Sequence, residues 1–86
     1  MININQLQYF VISAEQGSLS KAAEVLYTTQ PHVSKTIKSL EGYLGMELFE
    51  RTPRGVILSK DGERIYAYAK NKLKINYVGI HDKWTL

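Results

Sequence analysis

The sequence predicts a mainly α-helical domain: three helices, then a β-hairpin, then a fourth helix. Apolar residues recur at helical spacing in stretches around 5–16, 19–26, 30–44 and 60–74. Gly, Ser or Thr punctuates the ends of these stretches, as helix caps require. Between residues 48 and 58 the helical period is lost and a Pro-x-Gly turn signal appears. A chain of 86 residues holds one such domain.

In the first stretch, Leu7, Phe10, Val11 and Ala14 fall at i, i+3, i+4 and i+7, one face of an amphipathic helix. Gly17 supplies the left-handed stop. Ser18 or Ser20 caps the next helix, whose inner face is Leu19, Ala22, Ala23 and Leu26. The two alanines let a neighbouring helix approach closely. Thr29 caps a third helix and puts Gln30 and Pro31 in its first turn, where a missing N–H costs nothing. Val33, Ile37, Leu40 and Leu44 form its core stripe. Pro31, Ser34, Lys35 and Lys38 lie on the opposite side, and Gly45 ends the helix. A short second helix joined tightly to a third with a free, polar, cationic face is the geometry of an α-helix that enters a DNA major groove.

The segments 48–51 and 56–58 are expected as strands around a Thr52-Pro53-Arg54-Gly55 turn, with Pro53 and Gly55 suited to a type I turn. Ser59 caps the fourth helix, where Gly62, Ile65, Tyr66, Ala69 and Leu73 form an apolar stripe. After residue 74 the period fades, and Val78, Ile80, Trp84 and Leu86 need cover from this domain or another chain. The expected divisions are a DNA-binding unit over 1–59, the fourth helix over 60–76, and a tail over 77–86.

The net charge is +3 and is unevenly distributed. Residues 1–30 hold one Lys against two Glu, whereas residues 31–86 hold ten Lys or Arg against six Asp or Glu. The basic excess begins at the third helix and suits a polyanionic partner, although a solvated basic surface looks the same by charge alone. No cysteine is present, so disulfides and thiolate metal sites are excluded. His32 and His81 lack Cys partners, which argues against a structural zinc site. No signal-peptide pattern or membrane-length apolar run occurs, so a cytoplasmic protein without membrane contact is expected. No Ser/His/Asp constellation or phosphate-cradling Gly loop appears. Asp61 and Glu63 sit beside Lys60 and Arg64, as at a solvated helix start. No enzyme activity and no cofactor are expected.

Helix, helix-turn-helix, hairpin, helix is the order of a winged helix-turn-helix. The residues narrow it further. Leu7-x-x-Phe10, Gly17-Ser18-Leu19-Ser20-x-Ala22-Ala23-x-x-Leu26, Gln30-Pro31-x-Val33-Ser34-x-x-Ile37-x-x-Leu40-Glu41, Leu44-Gly45-x-x-Leu48-Phe49-x-Arg51 and Leu58-Ser59-x-x-Gly62 together resemble the N-terminal DNA-binding domain of LysR-type transcriptional regulators. The resemblance covers about residues 5–69. His32 departs from it, standing where a small or apolar residue is usual, and Ser59 replaces the usual Thr. Family members continue into a long C-terminal effector-binding domain, so an effector is not expected on this fragment.

The resemblance implies a bacterial regulator whose third helix, about residues 30–44, enters the major groove. Base contacts are then expected from Gln30, Pro31, Ser34 and Lys35, and from Arg54 of the wing in the minor groove. Phosphate contacts are expected from Ser20, Thr28, Thr29 and Lys38. Arg51 is expected to pair locally and close the hairpin. A homodimer is implied through the fourth helix, with Ile65, Tyr66, Ala69 and Leu73 as its interface. One rival is a truncated regulator that acts as a protein-interaction decoy through that helix. Lys35, Lys38 and Arg54 on one face favour double-stranded DNA as the partner.

Overall fold

The structure is a computed structural model that describes residues 2–76, with side chains through residue 73. The tail expected over 77–86, with Val78, Ile80, His81, Trp84 and Leu86, lies outside the described residues.

Asn3 starts the first helix, α1 (Ile4–Gln16), with a reciprocal capping box: its side chain accepts from the Gln6 N–H, and the Gln6 side chain accepts from the Asn3 N–H. Gly17 closes α1 in the left-handed conformation, φ 65°. Ser18, rather than Ser20, caps α2 (Leu19–Val25) by accepting from the Lys21 N–H. Thr29 caps α3 (Gln30–Leu44) by accepting from the His32 N–H, and Gly45 ends that helix at φ 70°. The wing is an antiparallel pair, β1 (Phe49–Thr52) and β2 (Gly55–Leu58), in which Thr52 pairs with Gly55 across the Pro53-Arg54 tip. Ser59 then opens α4 (Lys60–Asn76): its hydroxyl accepts from the Gly62 N–H and donates to the Glu47 carbonyl.

α1 is the central element. Leu7, Phe10 and Val11 pack with Leu40, Leu48, Ala69 and Leu73 in one cluster. Ile12 turns to a second cluster with Leu19, Ala22, Ala23, Val33, Ile37 and Val56. Each large aliphatic side chain buried this way contributes about 1.5–3 kcal/mol. Glu41 ties α3 to the wing, because its carboxylate accepts from the Leu48 N–H at 2.7 Å. The wing is tied to the α1–α2 junction by the Val56 N–H, which donates to the Gly17 carbonyl at 3.1 Å.

The apolar stripe of α4 faces inward. Ala69 and Leu73 are buried in the chain's own core, and Ile65 and Tyr66 pack partly buried against it. The tyrosine hydroxyl of Tyr66 donates to Glu15 of α1 at 2.7 Å, and Lys70 pairs with the same carboxylate at 2.9 Å. Of the residues expected at a dimer interface, Ala69 and Leu73 are thus engaged inside one protomer, whereas Ile65 and Tyr66 stay partly accessible. The open side of α4 carries Ala67 and Tyr68. Among the described residues no helix is long and apolar enough to cross a membrane.

Candidate nucleic-acid interface

Burying Val33, Ile37 and Leu40 fixes the rotation of α3, so its other side must face solvent. Gln30, Pro31, His32, Lys35 and Lys38 are all exposed, and Ser34 is half-buried. Two open clefts of about 320 Å³ each flank the start of the helix, so neither flank is closed off. The first lies between α2, Gln30 and the wing, with Ser18, Ser20, Arg51 and Arg54 on its rim. It continues along the helix past Ser34 and Lys38 toward Arg51 and Phe49. The second lies between α1 and α3, lined by Asn3, Gln6, Tyr9, His32, Lys35 and Ser39.

Gln30 is held from α2. The Ser20 hydroxyl donates to the Gln30 side-chain carbonyl at 3.0 Å, which leaves the amide NH2 without a partner among the described residues. That contact spans ten residues and is absent from any reading by spacing. It gives Ser20, expected as a phosphate contact, a role in orienting Gln30. Thr29 uses its hydroxyl oxygen as the helix cap. Thr28 is half-buried in the turn, where its N–H donates to the Ala23 carbonyl.

The cations gather on this side. Lys35 and Lys38 extend from α3, and Arg54 stands exposed at the wing tip with its backbone N–H on the Thr52 hydroxyl. Arg51 makes no local pair among the described residues. It lines both wing-side clefts, between the strand and α3, contrary to the expected hairpin closure. Sequence reasoning missed it because its cross-strand partner is Val56, not an acid. Glu41 is the acid nearest this groove, and its carboxylate is engaged with the Leu48 N–H. No group of three His, Cys, Asp or Glu among the described residues could hold a metal ion.

The arrangement offers amide, hydroxyl and cationic donors along one convex helix, with a second cationic projection beside it. Amide donors suit base edges, and cations suit phosphates.

The family model for the bacterial regulatory helix-turn-helix protein, lysR family, matches residues 4–63. The nitrogen assimilation regulatory protein nac of Klebsiella aerogenes is 40% identical over 73 residues, covering 85% of this chain and 24% of that protein. The HTH-type transcriptional regulator PcaQ of Agrobacterium fabrum is 46% identical over 68 residues, covering 79% and 22%. The chain thus spans about a quarter of the length of the curated relatives it matches. Among solved structures, a CbnR DBD–DNA complex superimposes with a TM-score of 0.83 at 31% identity, covering 95% of both chains. A complex of the BenM DBD with catB site 1 DNA gives 0.83 at 34% identity, covering 95% of this chain and 93% of that one.

Proposed function

The chain belongs to the lysR family of bacterial regulatory helix-turn-helix proteins, and we propose that it is a sequence-specific double-stranded-DNA-binding domain of a transcriptional regulator. The observation that carries the reading is the outward face of α3: Gln30, Pro31, Ser34 and Lys35, presented beside a wing that carries Arg54. Solved relatives of 31% and 34% identity with the same fold are DNA complexes.

In this reading α3 lies in the major groove. Gln30, steadied by Ser20, presents its free amide NH2 to a base edge. Pro31 meets a thymine methyl, while Ser34 and Lys35 complete the base-facing set. Lys35 is a point charge without a planar fork, so it discriminates bases less than Arg would. Thr28, Thr29 and Lys38 hold phosphates and set the register. Arg54 enters the adjacent minor groove, where a narrow A·T tract attracts it. Residues 1–59 form the binding unit and α4 links it onward. Two copies act as a homodimer on a two-fold site, meeting through the open side of α4 around Ala67 and Tyr68. A decoy would pair through the same helix, and the exposed Lys35, Lys38 and Arg54 favour DNA as the partner over that reading.

A titration of duplex DNA at several salt concentrations tests this. With about four cations engaged per protomer, affinity between 50 and 200 mM salt falls ~100-fold for one protomer and ~10,000-fold for the dimer as counterions are released. Light scattering on the same samples gives a mass of two 9.8 kDa chains. A folded protein with salt-independent or undetectable binding overturns the reading.

A further inference from the structure

The two flanks of α3 are unequally used by the function above. Its wing side carries Gln30, Ser34 and Lys38, all assigned to DNA. Its α1 side carries His32, Lys35, Thr36 and Ser39, of which only Lys35 is assigned. A helix in the major groove has base edges on both sides of its first turn. His32 stands in that first turn, third from the Thr29 cap.

His32 is held at its main chain by two hydroxyls and at its ring by one aromatic neighbour. Its N–H donates to the Thr29 hydroxyl at 3.3 Å, and its carbonyl accepts from the Thr36 hydroxyl at 2.8 Å. Its ring meets the Tyr9 ring at 5.5 Å and 83°, an edge-to-face contact that favours one imidazole orientation. The residue is nevertheless exposed, and its ring nitrogens have no partner among the described residues. A side chain braced at its ring and left with free nitrogens is open to an external acceptor.

The geometry points to His32 as a second base-reading side chain of the recognition helix, braced by Tyr9 and donating an imidazole N–H to the acceptor edge of a purine in the major groove. This rests on the DNA-binding reading and deepens it, because it assigns specificity to the α1 flank. Tyr9 is a positioning residue that acts through its ring. The groups facing the imidazole are Lys35 on its own helix, Tyr9, and the neutral Asn3, Asn5 and Gln6 of α1. Among the described residues no carboxylate lines this cleft, so bound DNA supplies the negative charge there.

The test selects preferred duplexes from a randomised pool with the wild-type chain, His32→Ala, His32→Gln, Tyr9→Ala and Tyr9→Phe, and measures affinities for them. His32→Ala is expected to reduce the preference at one purine position per half-site about fivefold, the effect of one lost hydrogen bond. Other positions keep their preferences. His32→Gln changes the preferred base at that position. Tyr9→Ala weakens the same position, while Tyr9→Phe, which keeps the ring edge, restores it. Equal preferences in wild type and His32→Ala, with DNA still bound, overturn this inference alone. A loss spread evenly over all sequences also overturns it, since that places His32 on a phosphate. No DNA binding by the folded wild-type chain overturns the reading beneath it.

Discussion

α1 is shared by two clusters that differ in how they are sealed. On the α4 side it packs Leu7, Phe10 and Val11 against Leu40, Leu48 and Leu73, all large and nearly inaccessible. The outside of that cluster is latched by Tyr66 and Lys70 on Glu15. On the α2–α3 side it offers Ile12 to Ala22, Ala23, Val33 and Ile37, where short side chains bring the helices close. The outside of that cluster is left open: two clefts, exposed cations and unpaired amide and imidazole groups. Small residues hold α3 near its scaffold without covering it. The α4 side supplies rigidity, and the α2–α3 side spends little of its surface on itself.

Two glycines, one in each half, offer the largest break in this comparison. Gly62 is buried in the first turn of α4, and a Cβ there would strike the Leu48 carbonyl oxygen. Gly55 begins β2 at φ 145°, and a Cβ there would strike the Gly17 carbonyl oxygen. In the α4 half nothing can yield, because Leu48 is in the core. Gly62→Ala should cost ~3 kcal/mol in a urea melt. The wing can swing outward, so Gly55→Ala should cost ~1–2 kcal/mol in stability while weakening DNA binding at all sequences. If both variants lost stability equally with binding unchanged, the two halves would be equally rigid and the distinction would fail.

Glu15 allows a smaller, sharper probe of the latch. Burial first, then the hydrogen bond from its own hydroxyl to Glu15 and the carboxylate's charge, push the Tyr66 phenol up from 10.0 to about 12. The folded chain therefore keeps this proton longer than the unfolded chain. The latch contributes fully below pH 10 and is lost as pH rises from 10 to about 12. Glu15→Gln should lower the phenol's midpoint without returning it to 10, since burial remains. It should also cost ~0.5–1 kcal/mol at neutral pH, as for a part-exposed pair. Tyrosinate absorbance, taken as the difference from Tyr66→Phe, reads the first effect. An unshifted midpoint in Glu15→Gln would show that α4 is held by packing alone.

What could be read from sequence follows the same division. The caps at Thr29, Gly17 and Gly45, the α3 stripe and the hairpin depend on neighbours within a few residues, so spacing reveals them. Periodicity in α1 shows one stripe, yet α1 is covered on several sides, and Ile12 and Ser13 are buried beyond that stripe. The α4 stripe was legible as apolar, but a stripe does not say whether it meets α1 or a second chain. Leu73 in the core shows that part of the stripe meets α1, through contacts that no local pattern encodes. In the candidate interface the outward residues of α3 were legible because they are what the core stripe leaves over. The Ser20–Gln30 contact, the brace of Tyr9 on His32 and the position of Arg51 between wing and helix were not, because each joins separate elements.

Tyr27, in the turn between α2 and α3, tests the open half with the smallest change. It holds φ 56°, the one non-glycine residue at positive φ among those described, and it is 97% exposed. The conformation aims the chain from the end of α2 into the Thr29 cap, and the ring gains no packing in return. A bulky side chain in this region is strained, whereas Asn adopts it readily. Tyr27→Asn should therefore raise stability by ~0.5–1 kcal/mol, seen as a higher urea midpoint with an unchanged slope. The gain would show that the turn before the recognition helix carries local strain that the α4 half does not. A lower midpoint would mean that the tyrosine makes a stabilising contact and that the open half is better sealed than its exposure suggests.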